Sequence, residues 1–301
     1  MSGLTYTPLH MHSIYSQLDG FSRVEQIVDR AIEIKAHGVC ITDHAYATSH
    51  YELGELCEKK GIKPIFAVEG YLSPRDNTIH EKVEGFKDYY HITLVAKNKV
   101  GYSNLMKLIA DSFLNGKYRK ARFSMNTLER WSEGIICLTA CLGGVVSQML
   151  ANDRDQEAEQ WMSNLKEIYG ENLFAELTYT GLEEQDKVNV KMIELANKLD
   201  VQVVCTPDSH YTNKTDTDFH RAMVCINVNQ SFVPSGKEKD GEDVDESGMF
   251  YQPGQYWIKD RETLTAEYYH KFEDHNTFFE NTNKIADSID WIKFDKEKKF
   301  P

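Results

Sequence analysis

Residues 9–20 read LHMHSIYSQLDG, and they continue an apolar run that begins at residue 5. We predict a strand over residues 5–12, which ends in His10-Met11-His12. Because side chains alternate along a strand, both imidazoles point to the same side, as two ligands of one metal ion require. The chain has 11 histidines, so an accidental pair of this kind is easy to obtain. The interpretation therefore depends on whether the pattern recurs at later strands.

Similar apolar runs recur along the chain, and we predict further strands over residues 38–44, 64–71, 90–96, 134–140, 173–179 and 201–207. Their hydrophobicity is continuous, which is typical of strands buried on both faces of a parallel sheet. Predicted helices lie between them, over residues 22–35, 52–60, 102–113, 155–169 and 183–199. For the first helix, Ser22 and Glu25 predict a capping box and Gly38 predicts a left-handed stop.

This alternation indicates an α/β fold, either an open doubly wound sheet or a closed β/α barrel. Residues able to coordinate a metal follow most of the predicted strands, as in Thr42-Asp43-His44, Val68-Glu69-Gly70, Thr139-Ala140-Cys141 and Pro207-Asp208-Ser209-His210. An open sheet concentrates its site at one switch point, whereas the carboxyl rim of a barrel gathers residues from all its strands. We therefore predict a barrel of about seven strands.

Imidazole, carboxylate and thiolate are the ligand types that hold Zn²⁺, Mn²⁺ or Fe²⁺. His91 fits the pattern less well, because it precedes its own apolar run instead of following it. Asp43 is predicted to support its neighbours through hydrogen bonds. The other six histidines are assigned no role: His37, His50, His80, His220, His270 and His275. Five polar residues could touch phosphates near the rim (Lys97, Asn98, Arg119, Lys120 and Arg122), although a solvated charge run is the preferred interpretation of residues 117–122.

The formal net charge is −13, from 34 Lys and Arg against 47 Asp and Glu. This balance argues against broad, non-specific attraction to duplex DNA, so any nucleic acid would have to be bound locally. The six cysteines are scattered through a long chain, which favours reduced thiols over a disulfide framework. The first residues lack the features of a leader, and no apolar run approaches a membrane span. We expect a cytoplasmic protein that does not contact a membrane.

The motifs named above belong to longer stretches that resemble one known family. These are LHMHSIYSQLDG (9–20), GVCITDHAY (38–46), PIFAVEGYL (64–72), YYHITLVAKNKVGYSNLMKL (89–108), ICLTACLGG (136–144) and TPDSHY (206–211). They closely resemble the PHP (polymerase and histidinol phosphatase) domain, in the form that opens the bacterial DNA polymerase III alpha subunit. The resemblance implies a distorted (β/α)7 TIM-like barrel with a trinuclear metal centre, for which we expect two or three divalent ions of Zn, Mn or Fe.

The resemblance also implies a division of nine ligands among the metals. One metal would be held by His10, His12, Glu69 and Asp208; Glu69 would bridge to a second, held by His91 and Cys141; Asp19, His44 and His210 would hold the third. All nine positions carry a residue able to coordinate. A cysteine at position 141 is typical of the polymerase-type domains, whereas relatives acting on histidinol phosphate tend to carry histidine there. We predict Glu69, Asp208 and His12 as the catalytic residues of this set.

The expected activity is metal-dependent phosphodiester hydrolysis at a nucleic-acid 3′ end, a proofreading-like 3′-5′ exonuclease that uses a metal-bound hydroxide. Two alternatives stay open: a non-catalytic, metal-stabilised scaffold that associates with a replicative polymerase, and a phosphomonoesterase for a small molecule. A chain of 301 residues leaves no room for polymerase domains, so we expect a free-standing protein or an excised domain, with a replicative DNA polymerase as partner. Residues 1–292 are predicted to form a single domain, with a mobile acidic loop at 232–250 and a charged tail at 293–301.

Overall fold

The computed structural model describes residues 5–229, 231–232 and 254–295. The predicted loop at 232–250 lies outside these residues except for residue 232, as does the tail from residue 296 onward. Eight strands form one sheet: β1 (Val39–Ile41), β2 (Pro64–Leu72), β3 (Tyr90–Ala96), β4 (Lys117–Tyr118), β5 (Lys120–Phe123), β6 (Ile135–Leu138), β7 (Leu173–Leu177) and β8 (Gln202–Cys205). Their order is β4-β5-β2-β3-β6-β7-β8, and β1 pairs in parallel with the first three residues of β2.

Ten α-helices lie in the described part of the chain: α1 (Val24–Glu33), α2 (His50–Lys60), α3 (Lys99–Leu114), α4 (Met125–Arg130), α5 (Val145–Ala151), α6 (Asp155–Tyr169), α7 (Glu183–Lys198), α8 (Thr217–Val228), α9 (Arg261–Glu267) and α10 (His275–Ser288). The predicted helices are all present, with ends that differ by at most three residues. Within the described ranges, no helix is both long and apolar enough to cross a bilayer.

The sheet closes into a barrel through residues 7–13, which occupy the place of the predicted first strand. Met11 forms a parallel bridge with Ser209, just beyond β8, and the Ser209 amide donates to the carbonyl of His10 at 3.0 Å. On its other side, the Met11 carbonyl accepts from the Thr42 amide at 2.8 Å, at the end of β1. This segment therefore joins the two open edges of the sheet and completes a ring of seven strands with β1, β2, β3, β6, β7 and β8. The seven-strand β/α barrel is thus confirmed, and the β4–β5 hairpin lies outside the ring.

Besides the short β4, which is antiparallel to β5, one strand runs against the others, contrary to the expectation of a uniformly parallel sheet. β3 is antiparallel to both β2 and β6, and Tyr71 at the end of β2 is paired with His91 at the start of β3. The reversal places the beginning of β3 at the rim where the other strands end, which explains why His91 precedes its strand. It also takes Lys97 and Asn98 to the opposite rim, where Asn98 caps α3 by accepting from the Gly101 amide. The prediction that these two residues touch phosphates near the site is wrong.

The first helix is present, but the residues predicted to cap its two ends are wrong. α1 begins one residue later than the Ser22–Glu25 capping box requires, and the Arg23 amide donates to the side chain of Gln26. Ser22 instead hydrogen-bonds Thr212, across the barrel rim, at 2.6 Å. The left-handed residue after the helix is Lys35, with φ of 57°, and not Gly38. Gly38 packs closely on the sheet, because a Cβ there would lie 2.8 Å from the end of the Ile65 side chain, which would have to shift.

One large apolar cluster contains side chains from Tyr6 at the start of the described chain to Ile292 near its end. α10 packs on β8, where the Asn281 side chain donates to the Val203 carbonyl at 2.9 Å. The buried cysteines Cys40, Cys137 and Cys205 lie in this interior as apolar residues, and all six cysteines are free thiols. The described C-terminal segment thus packs against the barrel, and the single domain over residues 1–292 stays a prediction.

Candidate metal centre

The predicted ligands converge on one end of the barrel, each carried there by the strand or rim loop that precedes it. Residues 7–13 supply two ligands, and the following loop supplies one. One ligand follows β1, one lies within β2, and one lies near the start of β3. The segments after β6 and β8 supply the other three. The structure brings together all nine: His10, His12, Asp19, His44, Glu69, His91, Cys141, Asp208 and His210.

Glu69 lies at the centre of this group and is 1% exposed. Its Oε1 atom is 2.8 Å from His91 Nδ1 and 3.6 Å from Cys141 Sγ. Its Oε2 atom is 2.9 Å from His44 Nδ1 and 3.4 Å from His12 Nε2. The two oxygens of one carboxylate therefore face different donors, as a bridging ligand requires.

Asp208 forms a second point of convergence. Its Oδ1 atom lies 3.4 Å from the Nε2 atoms of both His10 and His12. Asp19 lies on the far side, with its Oδ2 atom 2.7 Å from His44 Nε2 and 3.4 Å from His210 Nε2.

Across residues 5–229, 231–232 and 254–295, three triplets have donor atoms within 4.8 Å of one another. Two of them, His10-His12-Asp208 and His44-Glu69-His91, overlap the predicted first and second metal sites. The third, His12-His44-His210, shares two residues with the predicted third site. The allocation of each ligand to one metal stays a prediction.

Hydrogen bonds on the outer side of the imidazoles fix which nitrogen faces the centre. The Ser16 hydroxyl donates to Asp43, so it accepts from His12 Nδ1 at 2.9 Å, which leaves the Nε2 lone pair pointing inward. The Asp43 carboxylate also accepts from the Ser13 amide and hydroxyl. The predicted supporting role of Asp43 is confirmed, and it acts on His12 through Ser16.

His10 is oriented by a residue that the sequence analysis did not identify. Its Nδ1 atom is 2.5 Å from Oε1 of Glu176, a fully buried carboxylate on β7 that also accepts from the Thr206 hydroxyl. Because a carboxylate can only accept, His10 carries its proton on Nδ1 and turns Nε2 toward the centre. A signal was available, since Glu176 is the only charged residue in the run 173–179 that was predicted to be buried on both faces.

Several buried donor atoms of the centre make no hydrogen bond of good geometry within the described chain, although oppositely charged side-chain atoms lie 2.9–3.4 Å away. They are His10 Nε2, His12 Nε2, His44 Nδ1 and Asp208 Oδ1. Buried polar atoms without partners cost free energy, and these four converge instead of pointing into the core. Nitrogen, oxygen and sulfur donors directed at a common space fit a set of transition-metal ions.

The buried carboxylates and imidazoles of the centre shift one another's pKa values. Burial alone would lower the pKa of His44, but the Glu69 and Asp19 carboxylates outweigh it and raise that pKa to about 10. Burial also opposes protonation of His10, yet Glu176, Asp208 and Glu69 raise its pKa well above 6.5. Burial would raise the pKa of Glu69, but the surrounding imidazoles hold it well below its usual range. Without metal, protons on imidazoles balance the buried carboxylates, and cations can take their place.

Unusual backbone conformations occur at the loops that carry the ligands. The described chain has nine non-glycine residues with positive φ, and four of them are ligands or neighbours of ligands: Leu18, Ala45, Ala140 and Asp208. Such conformations cost roughly 1–3 kcal/mol each and persist where surrounding structure enforces them. Their concentration at this rim indicates that the loops are shaped to position side chains.

Comparison with known proteins identifies a family and several relatives for this chain. Residues 8–180 match the PHP domain family. The chain is 32% identical over 285 residues to the DNA polymerase III subunit alpha of Borreliella burgdorferi, and 31% identical over 302 residues to that of Aquifex aeolicus. Each match covers 95% of this chain but only 24% and 26% of the relative, so the chain spans about a quarter of their length. A solved amidohydrolase from Chromobacterium violaceum, with bound sulfate and no metal, covers 68% of this chain and 87% of its own, with 13% identity and a TM-score of 0.45.

We predict that metal binding releases protons and tightens as the pH rises. His44 has a pKa of about 10 in the folded, metal-free protein, so it holds a proton at neutral pH that a metal ion must displace. Each displaced proton makes the apparent affinity rise roughly tenfold per pH unit until the pH passes that pKa. Competition with a chromophoric chelator at pH 6.5 to 8.5 measures the slope, and a weakly buffered indicator measures the released protons.

The exposed residue His37 provides the control, because it pairs with Asp287 away from the centre. His37→Ala should release the same number of protons as the unaltered chain. An affinity that does not change with pH would contradict the charge state described above.

Proposed function

The chain belongs to the PHP domain family, and on that basis we propose that it is a metal-dependent phosphoesterase that hydrolyses phosphodiester bonds at nucleic-acid 3′ ends. The observation that carries this proposal is the convergence of all nine ligand positions, none of which is missing. A domain that had kept only a structural role would have no need of a complete set. Two or three divalent ions of Zn, Mn or Fe would be held by the nine residues, with Glu69 between them.

When bound, such ions lower the pKa of water and neutralise charge on a phosphoryl group. The protein residues hold the ligand side chains in the orientation that binding requires. Ser16 and Glu176 accept from the Nδ1 atoms of His12 and His10, so both imidazoles turn Nε2 toward the centre, where a bound ion would replace any proton. Glu69 offers one oxygen to each side, and Asp208 is shared by the two imidazoles. We propose Glu69, Asp208 and His12 as the residues on which turnover depends most.

Access to the centre favours an enzyme over a scaffold. A cavity of about 700 Å³ reaches ligands on several strands, and His44, Glu69, His91, Cys141, Asp208 and His210 all line it. A scaffold whose metals only stabilise the barrel would need no such opening. The volume lies within the range of roughly 300–1,000 Å³ that is usual for ligand sites, so a phosphoester larger than inorganic phosphate can be accommodated.

We predict that the metal-loaded chain hydrolyses 3′-labelled single-stranded DNA and that Glu69→Gln abolishes this activity. The amide keeps the shape but removes the charge that holds two cations close together. The loss should exceed the ~10–100-fold that removal of an outer partner costs, whereas Asp43→Asn should lie within that range. Initial rates on labelled DNA, on a generic phosphodiester and on a phosphomonoester provide the measurement.

Circular dichroism checks that both variants remain folded. Near wild-type turnover by Glu69→Gln, with contaminating nuclease excluded, would disprove the bridging role. Hydrolysis of the monoester alone would instead identify a small-molecule phosphatase.

We further propose that the activity operates beside a replicative polymerase. The relatives named above are alpha subunits of DNA polymerase III, and this chain corresponds to about a quarter of each. Tethering to a polymerase raises the local concentration of 3′ ends, which compensates for weak attraction between DNA and a chain of net charge −13. Purification from the native host should recover a polymerase, and exonuclease activity should rise when that polymerase is added. Activity that is unchanged by the polymerase, with no complex recovered, would indicate a self-sufficient nuclease.

A further inference from the structure

One side of the cavity is basic, although the chain as a whole is acidic. We call this side the basic wall, and it consists of Lys82, Lys87, Arg119 and Lys120. Among the described residues outside the ligand set, Asp88 is the only carboxylate that lines the cavity. A local excess of positive charge in a chain of net charge −13 calls for a physical explanation.

The basic wall is built from two segments that a buried arginine holds together. Arg122 is 1% exposed and donates to the carbonyls of Asn77, Ile79 and Asp88 in the connection between β2 and β3. It also donates to the carbonyl of Gly116, at the start of the β4–β5 hairpin, at 3.2 Å. Arg122 thus makes no contact with the cavity, and the sequence-based suggestion that it touches phosphates is wrong. Its role is to fix the hairpin against the connection that carries Lys87.

A second link joins the same two segments at the surface. Arg119 Nε lies 3.0 Å from Asp88 Oδ2, so these two segments are also joined by an ion pair. Among the described residues that line this side, four cations thus accompany one carboxylate. A solvated charge run would not require a buried anchor and a surface ion pair to hold it in place.

The basic wall adjoins the metal centre through one aromatic ring. Lys120 Nζ lies 5.2 Å from the centre of the Tyr71 ring. Tyr71 in turn packs against two ligands, with ring centres 5.8 Å from His44 and 5.5 Å from His91. Tyr89 packs edge-to-face against Tyr71, with ring centres 4.9 Å apart, and it lines the cavity together with Phe86. Cations and aromatic rings therefore alternate along a path that leads away from the ligands.

We infer that the basic wall is a subsite for the backbone phosphate next to the scissile one in a single-stranded nucleic acid, with Tyr89 and Phe86 positioned to contact its base. This inference rests on the proposed phosphodiesterase function and adds the requirement that the substrate carries a second phosphate. Lysine and arginine binding phosphates beside aromatic rings that stack on bases is the general mode of single-strand recognition. A phosphomonoester with a small leaving group would leave the basic wall unused.

The test uses two substrates that differ in the number of phosphates. Lys87→Ala and Lys120→Ala should each raise KM for a 3′-labelled oligothymidylate roughly tenfold. Each should also reduce the dependence of log KM on log salt concentration by about 0.7, the value for one lost contact to a single strand. Hydrolysis of bis(p-nitrophenyl) phosphate, which contains a single phosphorus, should stay unchanged. Lys59→Ala, an exposed lysine of α2 outside the cavity lining, is the matched control and should leave both substrates unaffected.

A binding measurement separates this inference from the proposed function. Fluorescence anisotropy with a nuclease-resistant phosphorothioate oligonucleotide gives Kd without turnover, and both cavity variants should weaken it as they raise KM. If the unaltered chain hydrolyses neither substrate, the proposed function fails, while anisotropy still tests the subsite. Binding that Lys87→Ala and Lys120→Ala change no more than Lys59→Ala would overturn the inference. Equal losses on both substrates would overturn it too, because they would place the lysines at the scissile phosphate.

Discussion

The charge balance around Glu69 is the constraint on which the remainder of the structure depends. A carboxylate that is almost fully buried has to be neutralised, and here every group close enough to do so is an imidazole or a thiol that can also bind a metal. The imidazoles are in turn held by further carboxylates, of which Glu176 lies deepest in the barrel. Removing any one member leaves an uncompensated group, so the set is stable only as a whole.

The barrel provides this arrangement because its strands deliver side chains to one rim. The exception, β3, shows how strict the requirement is. A parallel strand at that position would present its C-terminal residues Lys97 and Asn98 to the rim, and neither completes the ligand set. Its antiparallel direction presents His91 instead, 2.8 Å from Glu69. The antiparallel direction of β3 is thus what brings a ligand to this rim.

Much of this could be predicted from sequence, and the failures have physical reasons. Continuous apolar runs located the strands, and ligand-type residues after them located the site, because both signals are local. The direction of β3 could not be read, since an apolar run has the same composition in either direction. Arg122 was taken for a surface cation because burial of a long charged side chain depends on carbonyls supplied by distant segments. Glu176 was missed although a lone charge inside a buried run already indicates a partner. The allocation of ligands to individual metals depends on small differences in the distances between donor atoms, which neither the spacing of residues nor the composition of the chain encodes.

The closure of the barrel by residues 7–13 has a consequence for biosynthesis. Met11 is paired with Ser209, so the two segments that close the barrel are separated by almost 200 residues of chain. Contacts of such long sequence separation form late, because the loop between them must be closed first. Within the ligand set, His10 and His12 leave the ribosome first, and Asp208 and His210 leave it last. The nascent chain therefore carries metal-binding groups well before residue 210 has left the exit tunnel and the complete centre can assemble.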